Sequence, residues 1–159
     1  MSVTAKRFFT ATLIRAAGCS AETLRSWRNR NGLFPDTQGS GVWNRFSIID
    51  MFVASIVTDL TRRGIAAQCA IDAAMAAAPI LTRLCETGAI DDDDPDSMED
   101  VFLAAASGLA KQDVILGFKI CLNKAPSVRL LESKTSVRSA LNDGFSILVD
   151  VRQLIVVAG

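Results

Sequence analysis

Residues 20–35 have the sequence Ser-Ala-Glu-Thr-Leu-Arg-Ser-Trp-Arg-Asn-Arg-Asn-Gly-Leu-Phe-Pro, which decides the fold of the first half of the chain. Ser20 is a favourable helix N-cap, and Glu22 stands in the first turn, where the helix dipole favours a carboxylate. Asn31-Gly32 followed by Pro35 is a helix stop signal. The stretch therefore predicts a short helix with defined ends.

The two faces of this helix differ in chemistry. Leu24 and Trp27 fall on one face, three residues apart, and can anchor the helix inward. The opposite face and its flanks are cationic or polar and comprise Arg25, Ser26, Arg28, Asn29 and Arg30. Arginine can pair with guanine and asparagine with adenine in the major groove of DNA, so this face is suited to reading bases. Arginine-rich helix faces are also often only solvated, and for the helix alone both interpretations stay open.

Segments on both sides of the helix favour DNA binding. Upstream, Thr10–Ala17 is a short apolar-periodic segment that ends at Gly18-Cys19, so two helices are expected to meet across a tight turn. This is the helix-turn-helix layout. Downstream, residues 33–46 place β-prone side chains on either side of Gln38-Gly39-Ser40-Gly41, which favours a hairpin. A hairpin after a recognition helix is a wing.

The end of the predicted wing carries Trp43 and Arg45. Arg45 is expected to contact a phosphate or the minor groove, with Trp43 as its aromatic support. The alternative is that Trp43 and Phe46 are core residues that hold the hairpin down. The predicted DNA-contacting residues of the helix and the wing are Ser20, Thr23, Arg25, Ser26, Arg28, Asn29, Arg30, Trp43 and Arg45.

Four motifs follow one another along residues 9–78. They are Thr23-Leu24-Arg25-Ser26-Trp27, Gly32-Leu33-Phe34-Pro35, Gly41-Val42-Trp43-Asn44-Arg45-Phe46-Ser47 and Leu60 to Ile65. In order and spacing they resemble the N-terminal DNA-binding domain of MerR-type winged helix-turn-helix regulators. Ser26, Arg28 and Asn44 depart from the residues that this family has at those positions. The resemblance implies a sequence-specific DNA-binding domain, and the departures concern base preference more than the fold.

Two further helices are predicted after the wing. Ser47 and Asp50 form an acidic variant of the capping box at the start of a helix that Gly64 ends. Ala66–Ala78 is an Ala-rich second helix, and Pro79 is predicted to stop it or to begin a further helical turn.

Charge is distributed unevenly along the 159 residues, although the net charge is zero. Residues 1–65 contain nine Lys and Arg against four Asp and Glu, whereas the rest of the chain contains eight against thirteen. Lysine and arginine supply most non-specific DNA affinity by neutralising phosphates. The first half is therefore expected to face DNA.

An acidic stretch, residues 87–100, is predicted to be a solvated linker because it contains Asp91-Asp92-Asp93-Asp94-Pro95-Asp96. It separates a DNA-binding domain, residues 1–86, from residues 101–159, which are predicted to dimerise or to bind a protein or small-molecule effector. The predicted fold class is mainly α, with an N-terminal winged helix-turn-helix followed by a small α+β module. A homodimer is expected because one winged helix reads few base pairs and because small sheets leave unpaired edges. The alternative is a monomer whose tail packs on its own N-terminal half.

Composition limits the other function classes. The chain has no histidine, and Cys19, Cys69, Cys85 and Cys121 form no C-x-x-C pair, so no enzyme activity, cofactor or metal site is expected. Buried, inert thiols are the expectation. By analogy with MerR-type metal sensors, Cys85 and Cys121 as thiolate ligands or redox sensors are the alternative. No stretch approaches the roughly 18 apolar residues of a membrane helix, so a cytoplasmic protein is expected.

Two functions are compatible with these features. The first is a transcriptional regulator that acts as a dimer on a (pseudo)palindromic operator in double-stranded DNA. The alternative is an architectural or phage-type DNA-binding protein, such as an excisionase-like or packaging factor, with no transcriptional role. Symmetric protection of a promoter site would favour the regulator over the architectural protein.

Overall fold

The computed structural model describes residue 5 and residues 8–37, 44–87, 115–121, 124–132 and 134–150. Over these ranges the protein is mainly helical and contains two small antiparallel sheets. The helices are α1 (Thr10–Ala17), α2 (Ala21–Asn31), α3 (Ile48–Arg62), α4 (Ala67–Thr87) and α5 (Lys134–Asn142). The strands are β1 (Phe8–Phe9), β2 (Arg45–Phe46), β3 (Ile115–Lys119), β4 (Ser127–Leu131) and β5 (Ile147–Asp150). None of the helices described is long and apolar enough to span a membrane.

Helix α3 lies at the centre of the core. The predicted capping box is confirmed: the Asp50 N–H donates to Ser47 Oγ at 3.1 Å, and the Ser47 N–H donates to the Asp50 carboxylate at 2.7 Å. Every residue from Ile48 to Thr58 except Asp50 is buried, because α1 and α4 pack along the helix. A helix that is apolar on all sides is an interior helix, so α3 is the element around which the others assemble.

Helices α3 and α4 meet at a glycine turn. Gly64 has a φ of +89°, in the left-handed region, and follows the end of α3 as predicted. Helix α4 then continues through Pro79, so the predicted stop is wrong. Proline removes one backbone N–H donor, but Ala77 and Leu81 on either side are fully buried, and their packing outweighs the loss.

Strand β2 pairs with β1, a strand that the sequence did not predict. Phe8 lies opposite Phe46 in this antiparallel pair, and β1 precedes α1 in the chain. The first half of the predicted hairpin is instead a turn, in which Phe34 has a φ of +55° and Pro35–Thr37 forms a short 3-10 helix. The Phe34 ring reaches the core from this turn and packs edge-on against Phe46, with ring centroids 5.4 Å apart. Residues 38–43, with Trp43, lie outside the described residues.

The second sheet has the strand order β4-β3-β5 and is antiparallel throughout. Strands β3 and β4 are consecutive in the chain and pair as a hairpin, and the short helix α5 follows them. Alternate side chains of the sheet enter different clusters, as the period of a β-strand requires. Leu116, Phe118 and Val149 join the core of the N-terminal helices. Ile115, Leu131 and Leu148 pack with residues of α5 and with Phe145 on the other face.

The C-terminal sheet thus lies between the N-terminal helices and α5. It shares one hydrophobic core with the N-terminal helices, and Arg63 Nη1 adds a hydrogen bond to the Leu148 carbonyl at 3.1 Å. Residues 88–100 of the acidic stretch lie outside the described residues, so the division into residues 1–86, 87–100 and 101–159 stays a prediction.

Because Phe118 is fully buried in the shared core, we expect Phe118→Ala to lower the free energy of unfolding by about 3–5 kcal/mol. The loss should shift helical circular dichroism and tryptophan fluorescence together, since the sheet and the N-terminal helices unfold as one unit. Leu141→Ala is the control, because Leu141 is 51% exposed on α5 and its removal should change stability by less than about 0.5 kcal/mol. A fluorescence transition unchanged in Phe118→Ala would contradict the shared core.

Candidate nucleic-acid interface

The turn between α1 and α2 is short and fixed at both ends. Gly18 has a φ of +65°, and its N–H donates to the Ile14 carbonyl at 3.0 Å, which ends α1. Ser20 caps α2 as predicted, since its Oγ accepts from the Thr23 N–H at 3.0 Å. Arg62 Nη2, at the end of α3, donates to the Gly18 carbonyl at 2.8 Å. The two helices are therefore joined by a turn that is tied to the central helix.

The inner face of α2 is anchored as the sequence predicts. Leu24 and Trp27 are buried in the main core. At the end of the helix, Asn31 Nδ2 donates to Gln68 Oε1 at 3.1 Å, which links α2 to the start of α4. Anchoring along one face leaves the opposite face of α2 turned outward.

Most of the predicted DNA-contacting side chains of α2 lie on that outer side. Arg25 and Asn29 are exposed one turn apart, Arg30 is exposed at their flank, and Ser26 is half-buried. Thr23 is half-buried, and its hydroxyl lies 2.8 Å from that of the exposed Ser20. Glu22 is exposed beside Arg25. From the sequence, the only role predicted for Glu22 was a favourable interaction with the helix dipole. The outer surface of α2 therefore carries cationic, amide and carboxylate groups together.

Arg28 is turned inward, which corrects its predicted outward orientation. Its Nη2 donates to the Thr37 carbonyl at 2.7 Å and to Thr37 Oγ1 at 3.0 Å. The guanidinium carbon also lies 5.7 Å from the centre of the Phe46 ring. Burial lowers the pKa of the Arg28 guanidinium, although arginine stays charged at neutral pH. This geometry makes Arg28 a link between α2 and the turn that follows it, because two acceptors of that turn already engage its guanidinium.

Asn44 belongs to the same network. In the amide orientation that satisfies its donor and acceptor, Asn44 donates to the Thr37 carbonyl and accepts from Arg28 Nη1 at 3.2 Å. Thr37 Oγ1 in turn donates to the Phe34 carbonyl at 2.8 Å. Arg28 and Asn44, two of the three departures from the MerR-type pattern, therefore lie in one hydrogen-bonded group.

Arg45 projects from the exposed side of β2. Its guanidinium carbon lies 4.9 Å from the centre of the Phe9 ring, within cation–π distance, and Phe9 is 47% exposed. Within the described residues, the aromatic partner of Arg45 is therefore Phe9 of β1. The prediction that named Trp43 concerns a residue outside those ranges. Phe9 could not be predicted from the sequence, because a two-residue strand shows no alternation. Phe46 is fully buried, which confirms the alternative that it is a core residue.

The cysteines in the described ranges are free thiols. Burial, with Glu86 beside it, raises the pKa of the Cys85 thiol to about 11, and burial also raises the pKa of Cys19. Within the part of the chain that the structure describes, no three or more Cys, Asp or Glu side chains group as they would around a metal ion. A protonated, buried Cys85 is poorly suited to bind a metal or to sense oxidants.

We expect native Cys85 to react slowly with iodoacetamide at pH 8. With a pKa of about 11, only about 0.1% of the thiol is thiolate at that pH. The folded-state pKa lies above the ordinary value of 9.0, so the stability that the neutral thiol contributes is complete below pH 9 and is lost as pH rises towards about 11. Peptide mass spectrometry measures the labelling, and the urea-unfolded chain is the control. Labelling of the native protein as fast as that of the unfolded chain would contradict the assignment.

No family model matches the chain, and no curated protein matches it at a significant level. A functional assignment therefore depends on the geometry, exposure and charge of the residues described above.

Proposed function

We propose that the chain is a sequence-specific DNA-binding transcriptional regulator in which α1 and α2 form a helix-turn-helix. The observation that carries the proposal is the exposed pair Arg25 and Asn29, one turn apart on a helix whose opposite face is anchored by Leu24 and Trp27. Arginine pairs with guanine O6 and N7, and asparagine pairs with adenine N6 and N7. The outer face of α2 therefore reads base edges in the major groove.

The dimensions of α2 support this role. Its 11 residues span about 16 Å, and the major groove, about 12 Å wide, admits one α-helix. Glu22 is exposed on the same surface and can accept a hydrogen bond from cytosine N4. Arg25, Asn29 and Glu22 prefer different bases. Their presence on one short helix therefore favours sequence-specific recognition of DNA over a purely electrostatic contact.

In this proposal, the strand pair β1–β2 is the wing. Exposed Arg45 stacks on Phe9, and an arginine held by an aromatic ring can contact the phosphate backbone beside the groove that α2 enters. The excess of positive charge in residues 1–65 supports an approach of this half to a polyanion.

A homodimer on a (pseudo)palindromic operator is part of the same proposal. One reading helix covers few base pairs, and two-fold symmetric proteins pair half-sites about one helical turn apart. Both faces of the C-terminal sheet have packing partners in the chain, whereas its outer strands β4 and β5 have no further strand partner within the described residues. These edges are where a second copy adds most readily.

The direct test is selection of a binding site from a randomised duplex library with the full chain. Arg25→Ala and Asn29→Ala should then each weaken binding to the selected site by about 1–3 kcal/mol and weaken binding to scrambled DNA by less, so that the ratio of specific to scrambled binding falls. Arg138→Ala is the control, because it removes the same charge from an exposed position on α5, which the sheet separates from the N-terminal helices.

Three outcomes of this selection distinguish the possibilities. A palindromic selected site supports the dimeric regulator, and a single unrepeated site or a preference for bent DNA supports the architectural alternative. Enrichment of no duplex, or an unchanged ratio of specific to scrambled binding in both variants, would rule out α2 as a reading helix.

A further inference from the structure

We propose that Arg28 is a positioning residue that holds the strand pair β1–β2, and with it Arg45, in place relative to α2. The inference rests on the DNA-binding function proposed above and assigns to Arg28 a role other than DNA contact. Two parts of the protein surface face DNA in that proposal, α2 and the strand pair. Arg28 holds them in a fixed position relative to each other, so that both can contact one duplex.

The first step is the bridge that Arg28 makes. It lies on the same helix as Arg25 and Asn29, yet its Nη2 reaches Thr37, nine residues further along the chain, at both the carbonyl and the hydroxyl. Through Nη1 it also reaches Asn44, the residue immediately before β2. One guanidinium thus ties the reading helix to the start and to the end of the segment that leads into β2.

The second step is the contact with β2 itself. The Arg28 guanidinium lies over the buried ring of Phe46, and Phe46 is the strand neighbour of Arg45. Adjacent strand residues point to opposite faces, so Phe46 faces Arg28 in the interior while Arg45 faces outward against Phe9. A displacement of Phe46 therefore displaces Arg45, because the two residues share one peptide unit.

The third step is that arginine is required for this arrangement. A planar guanidinium can present Nη1 and Nη2 to separate acceptors and stack on a ring at the same time. Lysine keeps the positive charge but concentrates it on one ammonium nitrogen, which cannot reach Thr37 and Asn44 and also cover Phe46. Arg28→Lys therefore removes the positioning geometry and retains the charge.

This difference separates positioning from direct contact. If Arg28 contacted a phosphate, Arg28→Lys would preserve the contact, because a lysine ammonium neutralises phosphate as well. If Arg28 positions Arg45, Arg28→Lys should lose the contact that Arg45 makes although the total charge of the protein is unchanged.

The experiment is a double-mutant cycle on the full chain, with the selected duplex, over a series of salt concentrations. Arg45→Ala should reduce the slope of log K against log salt by about one unit. Arg28→Lys should reduce it by about the same amount, and Arg45→Ala added to Arg28→Lys should change the slope no further. The two substitutions should couple by at least roughly threefold in affinity. Arg138→Lys, at an exposed position on α5, is the control and should keep the slope and be additive with Arg45→Ala.

Thr37→Val provides a second route if Arg28→Lys fails to fold, as judged by circular dichroism. It conserves side-chain volume and protein charge but removes the hydroxyl that accepts from Arg28 and donates to Phe34. The slope should again fall, by less than one unit, because Arg28 keeps its bonds to the Thr37 carbonyl and to Asn44 in this variant. Folded variants that keep the wild-type slope and are additive with Arg45→Ala would overturn the inference, whereas a wild-type protein that selects no duplex would overturn the proposed function itself.

Discussion

The structure depends on the burial of α3 on all of its sides. A helix with apolar residues around its whole circumference can exist in water only if other elements cover it, and the Ser47–Asp50 capping box determines where it begins. Helices α1 and α4 pack along it, and the C-terminal sheet contributes Phe118 and Val149 to the same cluster. The surface proposed to meet DNA therefore packs on one continuous hydrophobic core.

The orientation of α2 depends on attachments to the other N-terminal helices at three places. Trp27 enters the core, Arg62 holds the Gly18 turn, and Gln68 holds the end of the helix through Asn31. Precise presentation of a few side chains favours base readout, because a misplacement of about 1 Å is enough to lose a paired hydrogen bond. The strand pair has less core of its own, which explains why a hydrogen-bonded group around Arg28 is needed beside it.

Local chemistry explains which features could be predicted from the sequence. The caps at Ser20 and Ser47 and the stop at Gly64 depend on neighbouring residues only, and the structure confirms them. Continuation of α4 through Pro79 depends on tertiary packing, which overrides the local signal. Pairing of β1 with β2 joins segments almost forty residues apart, and no turn signal marks it.

Some features of the candidate site could likewise be predicted from the sequence, and others could not. The exposure of Arg25, Asn29 and Arg30 follows from helical periodicity and was predictable, as was the burial of Trp27. The inward orientation of Arg28 was not, because its acceptors on Thr37 and Asn44 come near only after the following turn has formed. The DNA-binding role itself stays a prediction that rests on the exposed groups of α2 and β2.

Titration of the isotope-labelled full chain with its selected duplex, followed by amide and side-chain NMR shifts, tests the central claim most directly. The account predicts that the largest shifts fall on the outer face of α2, at Arg25 and Asn29, and on the strand pair at Phe9 and Arg45. Shifts confined to α5 and the outer face of the C-terminal sheet, or no shifts at all, would contradict it.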